Sequence, residues 1–130
     1  MCGGLRFSKT MIKERQLVFR QGMKYTLPTT EGHMELIYDG SLRSENLNSW
    51  KPYIKKRILI LAEEYLERKT KQYQYDQFRA FKTNGKGIHA AILTDGTRRK
   101  NAFRIITMPA NSEVSGTHDR MPVLNEKTYF

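Results

Sequence analysis

Cysteine, histidine and long apolar runs are scarce in this chain of 130 residues. A single cysteine, Cys2, cannot form an internal disulfide, which is typical of a protein in a reducing compartment. The histidines at positions 33, 89 and 118 lack the paired spacing of zinc ligands, so we expect no metal and no other cofactor. No stretch approaches the roughly 20 apolar residues of a membrane span, and the first residues lack the apolar middle of a signal peptide. We therefore expect a cytoplasmic protein that makes no membrane contact.

Positive charge, in contrast, is abundant. Lys and Arg number 23 against 13 Asp and Glu, which leaves a formal net charge of +10. Such an excess favours a polyanionic partner, because each phosphate that a protein neutralises releases condensed counterions. A basic surface that serves only solubility is the alternative. Charge alone leaves nucleic acid and this alternative equally open.

Hydrophobic spacing and turn residues predict a single domain over residues 1–130, with a loose tail at 125–130. Three aromatic residues, Trp50, Tyr53 and Tyr65, are expected in its core, and His33 and His89 are expected to be structural. The first half contains four predicted features: a short helix over 9–21 ended by Gly22, a strand over 34–38 ended by an Asp39-Gly40 turn, a short helix within 44–56, and a buried strand over 57–62.

The clearest local signal lies between residues 78 and 107. Asn84-Gly85 is a strong two-residue hairpin turn, with strand-like residues 78–82 before it and 88–93 after it. Asp95-Gly96 is a second turn, which leads into a strand over 102–107. These turns predict three antiparallel strands in a meander, and hence a strand-rich α+β domain.

Motifs at both ends of the chain carry a resemblance to a known family. The chain begins Met1-Cys2-Gly3, and residues 117–123 read T-H-D-R-M-P-V. Together they resemble the SOS-response-associated peptidase family, whose domain is called SRAP. Between them, in the family's order, lie segments similar to its N-A-R-x-E motif (42–45), its strand into a catalytic glutamate (58–67), the following hairpin (84–92) and the strand and loop before H-D-R-M-P (105–111).

The resemblance implies an open barrel of antiparallel strands with a few short helices. It also implies that the protein processes abasic sites in single-stranded DNA through Cys2, after removal of Met1. Glu67 would be the acid–base group, and His118 would assist opening of the sugar ring and reversal of the crosslink. We expect a monomer. The implied DNA contacts are Arg43, Arg6, Lys55, Lys56 and Arg57, with Arg98, Arg99 and Lys100 as weaker candidates.

Two site positions differ from the family's usual pattern. Ser41 stands where N-A-R-x-E has its asparagine, which makes Ser41 a candidate polar group of the site. Gly4 stands where an arginine commonly follows Met-Cys-Gly, and Arg6 is a candidate substitute. The chain is also shorter than usual and lacks the family's W-G-L-I-P-type stretch.

The chemistry of an abasic site explains why the cysteine must be terminal. An amine condenses with the ring-opened aldehyde to an imine, and a thiol on the same residue then adds to the imine carbon to close a thiazolidine ring. An internal cysteine cannot react in this way, because its nitrogen is part of a peptide bond. The reference pKa values, about 8 for the amine and about 8.5 for the thiol, leave useful amounts of both nucleophiles at neutral pH.

Two other functions remain open on the sequence alone. A truncated relative that binds nucleic acid without a covalent bond is consistent with Gly4, Ser41 and the missing segment. A cysteine peptidase that acts on other proteins is less supported, because nothing in the sequence indicates a peptide-binding cleft.

Overall fold

A computed structural model describes residues 2–8, 15–69, 78–95 and 100–126. Strands dominate these ranges, and one short helix, α1 (Leu47–Trp50), lies between two 3-10 turns, Ser44–Asn46 and Lys51–Tyr53. No helix in the described ranges has the length and apolar character needed to cross a membrane. The strands are β1 (Cys2–Arg6), β2 (Gln16–Val18), β3 (Lys24–Thr29), β4 (Gly32–Arg43), β5 (Ile54–Ile60), β6 (Glu64–Arg68), β7 (Phe78–Lys82), β8 (Gly87–Leu93), β9 (Ala102–Pro109), β10 (Arg120–Pro122) and β11 (Leu124–Asn125).

Five strands close into a barrel. They follow the order β9-β4-β3-β5-β8, and β8 pairs back onto β9. All of these pairs are antiparallel except β4 with β9, which is parallel. The short strands β10 and β11 add to β9 and β8. The predicted strand-rich α+β class is confirmed.

A second sheet, in the order β2-β1-β6-β7, packs against the barrel. Its strand β6 follows β5 after a short connection, so one continuous stretch of chain passes from the barrel into this sheet. Every pairing in it is antiparallel. The core lies between the two sheets and includes Cys2, Leu5 and Tyr65 from the second sheet, with Ile58 and Ile105 from the barrel.

The predicted meander is wrong, although its first turn is present; Gly96 of the second turn lies outside the described ranges. Asn84 and Gly85 have the positive φ angles, 55° and 79°, of a tight turn. However, β7 pairs with β6 in the second sheet, whereas β8 pairs with β5 and β9 in the barrel. A turn reverses the direction of the chain, but it does not determine which strand the next strand pairs with. β8 is buried along its whole length, as expected for a strand in the middle of the barrel sheet. The antiparallel pairing of β8 with β9 agrees with the second predicted turn.

Three local predictions in the first half are corrected or refined. Residues 15–21 are not helical, because Gln16–Val18 pairs with β1; residues 9–14 lie outside the described ranges. Asp39-Gly40 does not end a strand, since β4 passes through it with an irregularity in the register between Tyr38 and Ser41. The helical stretch expected within 44–56 is present, and it ends before β5 begins at Ile54.

The C-terminal end and two of the expected core aromatic residues also differ from expectation, since Trp50 is only partly buried and lies outside the core cluster. Asn125, where a loose tail was expected to begin, pairs with Gly87 as part of β11, and residues 127–130 lie outside the described ranges. Tyr53 is 49% exposed and is therefore not a core residue. Tyr65 is buried, as expected.

Candidate functional site

Cys2 and Glu67 face each other across two neighbouring strands. They are register partners in the antiparallel pair β1–β6, an arrangement that brings Cβ atoms to about 4.5–5.5 Å on one face of a sheet. Both residues have 0% exposure. The Cys2 thiol donates a hydrogen bond to the carbonyl oxygen of Gly4 at 3.3 Å, and the register shifts between these two residues. The structure thus brings together two of the three predicted catalytic residues.

Burial sets the proton affinities of this pair. It raises the pKa of Glu67 to about 7, because a charged carboxylate loses its hydration in the core. Burial, and then the charge of Glu67, raises the pKa of the Cys2 thiol to about 12. At neutral pH the carboxyl group can therefore gain or lose a proton, as acid–base catalysis requires, while the thiol stays protonated.

Two tyrosines complete the environment of the pair, and the sequence did not indicate either as a site residue. Burial raises the pKa of Tyr38 and of Tyr65, and the charges of Cys2 and Glu67 raise both further. Tyr65 precedes Glu67 by two positions in β6, so the alternation of a strand puts both on one face. That spacing could have identified Tyr65. Tyr38 lies in β4, and only the packing of the two sheets brings it here.

His118 lies half-buried in the loop between β9 and β10. Its backbone N–H donates to the carbonyl oxygen of Val114 at 3.0 Å. Its ring nitrogen Nδ1 accepts the backbone N–H of Arg120, also at 3.0 Å. Because Nδ1 is an acceptor, the neutral imidazole carries its proton on Nε2 and is a donor there.

A hydrogen bond connects the loop that contains His118 to the strand next to the one that contains Glu67. Arg79 is the register partner of Glu67 on β7, and its guanidinium donates to Thr117 Oγ1 at 3.5 Å. In addition, β10 contacts β1, and Met121 belongs to the same core cluster as Cys2. The third predicted catalytic residue therefore lies on the side of the barrel where the Cys2–Glu67 pair is found.

Arg120 connects this loop to the segment that follows Arg43. Its guanidinium binds both carboxylate oxygens of Glu45, at 2.8 and 2.9 Å, and donates to the carbonyl oxygen of Thr107 at 2.8 Å. The bond to Arg120 lowers the pKa of Glu45 to about 2. Arg43 is exposed at the end of β4 and is the register partner of Thr107. The predicted phosphate-binding arginine is thus held next to the strand that leads to the His118 loop.

Ser41 lies where the register of β4 is irregular. Its carbonyl oxygen accepts a bond from Arg104 Nη1 at 3.0 Å. Arg104 also pairs with Asp39, with 3.0 Å between Nε and Oδ2, and the side chains of this ion pair are 16% and 10% exposed. Sequence reasoning missed Arg104, since a single arginine in a strand gives no local signal.

Arg6 is not part of the Cys2 environment. It is exposed at the far end of β1, roughly 13 Å from Cys2 at the rise of a strand. Its guanidinium donates to Gln16 Oε1 at 2.9 Å and lies 3.7 Å from Glu64. These neighbours do not favour the role of a substitute for the family's arginine.

The other predicted DNA contacts lie on β5, which pairs with β3 and β8 and not with the strands that contain Cys2 and Glu67. Lys55, Lys56 and Arg57 are exposed there, and Lys56 pairs with Glu31. Lys100 is also exposed, and Arg98 and Arg99 lie outside the described ranges. Within those ranges no three His, Cys, Asp or Glu side chains converge as metal ligands would.

The structure thus combines a strand-rich barrel with a buried cysteine–glutamate pair and a loop that contains a histidine. We compared the sequence with models of known protein families to find the family to which the chain belongs. The model of the SOS response associated peptidase (SRAP) family matches residues 39–129, and the chain belongs to this family. No curated protein matches the chain.

Proposed function

We propose that the protein captures abasic sites in single-stranded DNA through Cys2, once Met1 has been removed. The observation that supports this proposal best is the pairing of Cys2 with a buried Glu67 whose pKa is raised to about 7. Membership of a peptidase family associated with the SOS response agrees with loss of the residue before Cys2 and with a role in DNA damage.

The proposed reaction has three steps, and the bonds and protons of each are accounted for as follows. First the sugar opens: the bond between C1′ and the ring oxygen breaks, and the proton of the anomeric hydroxyl ends on that oxygen. The amine of Cys2 then attacks the aldehyde carbon, and the imine forms with loss of one water. Finally the thiol sulfur bonds to the imine carbon, and the thiol proton ends on nitrogen to give the thiazolidine.

Each step moves a proton, and the site contains groups suited to do so. Glu67 alternates between acid and base near pH 7, so it can take a proton from the attacking amine and return it to the leaving water. It can also carry the proton of the Cys2 thiol, whose raised pKa of about 12 requires a base. His118, with its proton on Nε2, can donate to the sugar oxygen during ring opening.

A denaturing gel tests the covalent function. Processed protein is incubated with a single-stranded oligonucleotide that carries one abasic site, and a shifted band that survives denaturation is expected. The band should be absent in Cys2→Ala and in protein whose N-terminus is blocked by an added residue. A band that persists in either control, or no band with the processed protein, would refute the proposal.

The acid–base roles are tested by rates. We expect Glu67→Gln and His118→Ala to slow formation or reversal of the adduct, while salt-dependent binding of the oligonucleotide is retained. Unchanged rates in both variants would remove these two assignments.

One observation favours a second function, non-covalent binding of single-stranded nucleic acid. Cys2 and Glu67 both have 0% exposure in the chain that still carries Met1, so a sugar has no open path to the pair in that form. In that case binding appears on native gels, weakens as salt rises and leaves no band under denaturing conditions.

A further inference from the structure

The barrel wall has an outer face that the Cys2–Glu67 pair does not use. Along β5, β8 and β9, alternate residues such as Ile58, Ala90 and Ile105 belong to the core cluster that includes Cys2. Successive side chains of a strand point to opposite faces, so the residues between them lie on the outer face. Several residues of this outer face, such as Leu59, Ala91 and Ile106, are themselves fully buried, so only its exposed side chains are available to a ligand.

Two arginines lie in one row across the outer face. Arg57 on β5 is the register partner of Ala91 on β8, and Ala91 is in turn the register partner of Arg104 on β9. Neighbouring strands lie about 4.8 Å apart, so the two arginine backbones are roughly 10 Å apart with only a methyl group between them. Arg57 is the exposed cation of this row, whereas the charge of Arg104 is paired with Asp39.

Arg104 supports the indole ring of Trp50. Its guanidinium carbon lies 4.7 Å from the ring centroid, within the range of a cation–π contact. Bonds to Asp39 and to the carbonyl oxygen of Ser41, each 3.0 Å long, hold the guanidinium in place. Trp50 is nevertheless only half-buried. The indole is therefore a rigid aromatic surface that remains accessible to solvent.

Tyr53 extends this aromatic surface. Its ring centroid lies 6.1 Å from that of Trp50, at an interplanar angle of 75°. Its backbone carbonyl accepts the N–H of Thr94 at 2.9 Å, which attaches the 3-10 turn to the end of β8. At 49% exposure, Tyr53 is among the large apolar side chains most open to solvent in the described ranges.

The charges around these rings favour a polyanion. Lys51, Lys55 and Arg57 are all exposed in the same short stretch of chain. Two carboxylates near these residues are already paired, Asp39 with Arg104 and Glu31 with Lys56. Exposed aromatic rings next to cations are the combination with which proteins bind single strands, because bases stack on the rings while the cations neutralise phosphates. An acidic peptide would use the cations but has no flat faces for the rings.

We propose that the exposed surface formed by Trp50, Tyr53 and Arg57, together with Lys55 in the same stretch of chain, is a second contact surface for single-stranded nucleic acid, on which bases stack. This inference rests on the proposed function, since it extends the bound strand beyond the reacting sugar. The helical segment that follows Arg43 rises about 1.5–2 Å per residue, so Trp50 lies within roughly 15 Å of Arg43. A strand held by Arg43 can therefore continue around the edge of the barrel onto this face.

Trp50 is the only tryptophan of the chain, so its fluorescence reports on this surface directly. The full chain is titrated with a 12-nucleotide oligothymidylate that carries no abasic site. We expect saturable quenching, because a base stacks on the indole. Tyr53→Ala should weaken binding roughly tenfold, and Tyr53→Phe should restore it. Arg57→Ala should reduce the slope of log affinity against log salt by about one.

Met23→Ala is the matched control, because Met23 is 53% exposed and lies between β2 and β3, outside the proposed surface. Its binding should equal that of the unmodified chain. Three results would overturn the inference: binding seen by anisotropy without quenching, full affinity in Tyr53→Ala, or equal quenching by polyglutamate.

A parallel gel with an abasic oligonucleotide keeps this inference separate from the proposed covalent function. A covalent band without Trp50 quenching would remove the second surface and keep the covalent function. Quenching without a covalent band would keep the surface and refute covalent capture.

Discussion

Glu67 should make the protein less stable as the pH rises, and Glu67→Gln should remove this effect. The folded state holds the pKa of Glu67 at about 7, compared with 4.5 for an ordinary glutamate. Below 4.5 the group is protonated in both states and has no effect. As the pH rises, the unfolded chain ionises first, so the free energy of unfolding falls until the pH exceeds 7. The full shift is worth about 3 kcal/mol, of which about 2 kcal/mol falls between pH 5 and pH 8.

Urea denaturation at pH 5 and pH 8 measures this contribution. A glutamine fills nearly the same space, and the cost of burying its amide does not depend on pH, so that cost cancels when the two pH values are compared. The free energy of unfolding of Glu67→Gln, taken relative to that of the unmodified chain, should rise by about 2 kcal/mol between pH 5 and pH 8. This rise corresponds to roughly 1 M in the urea midpoint. Glu64→Gln, on the same strand at a partly exposed position, is the control and should show no such gain. A gain of equal size at both pH values would refute the reasoning, because it would have a cause other than ionisation.

Two further predictions concern stability. Burial, and then the charge of Arg57, lowers the pKa of His89 to about 4, so the fold should lose up to about 3 kcal/mol as the pH falls from 6.5 to 4. Acid titration of His89→Gln should lack that loss, and a variant that loses stability just as the unmodified chain does would contradict the assignment. Gly4→Ala should destabilise by about 3 kcal/mol or more, since its Cβ would lie 2.3 Å from the carbonyl oxygen of Leu17 and would force β1 and β2 apart. Gly116→Ala, which meets nothing within 4 Å, is the matched control; equal melting temperatures for the two variants would argue against the close packing of β1 and β2.

Much of the strand content could be predicted locally. The strand at 102–107 and the turn at Asn84-Gly85 follow from apolar spacing and from residues that tolerate positive φ, and both are present in the structure. The strand predicted at 57–62 is present in its first four residues, since β5 begins earlier and ends at Ile60. The helix expected over 9–21 is wrong within residues 15–21, because Leu17 and Val18 are consistent with either period in so short a segment and pairing with β1 decides between them.

Strand partners, in contrast, depend on the whole fold. The turn at Asn84-Gly85 joins two strands that belong to different sheets, since β7 extends the sheet that contains Glu67 while β8 closes the barrel. The outer-face position of Tyr53 was missed for the same reason: its aromatic character suggested a core residue, and only the packing of the 3-10 turn on β8 leaves it exposed.

The sequence by itself determined that the chain is basic, strand-rich and a member of its family, and it identified Cys2, Glu67 and His118 as the residues to consider. Only the tertiary structure decided that Cys2 lies opposite Glu67 and that both are buried. The physical reason is that pairing between strands far apart in the chain depends on the burial of all their faces at once, which no local pattern of residues encodes. The raised pKa of Glu67 has the same origin, since burial in the assembled core produces it.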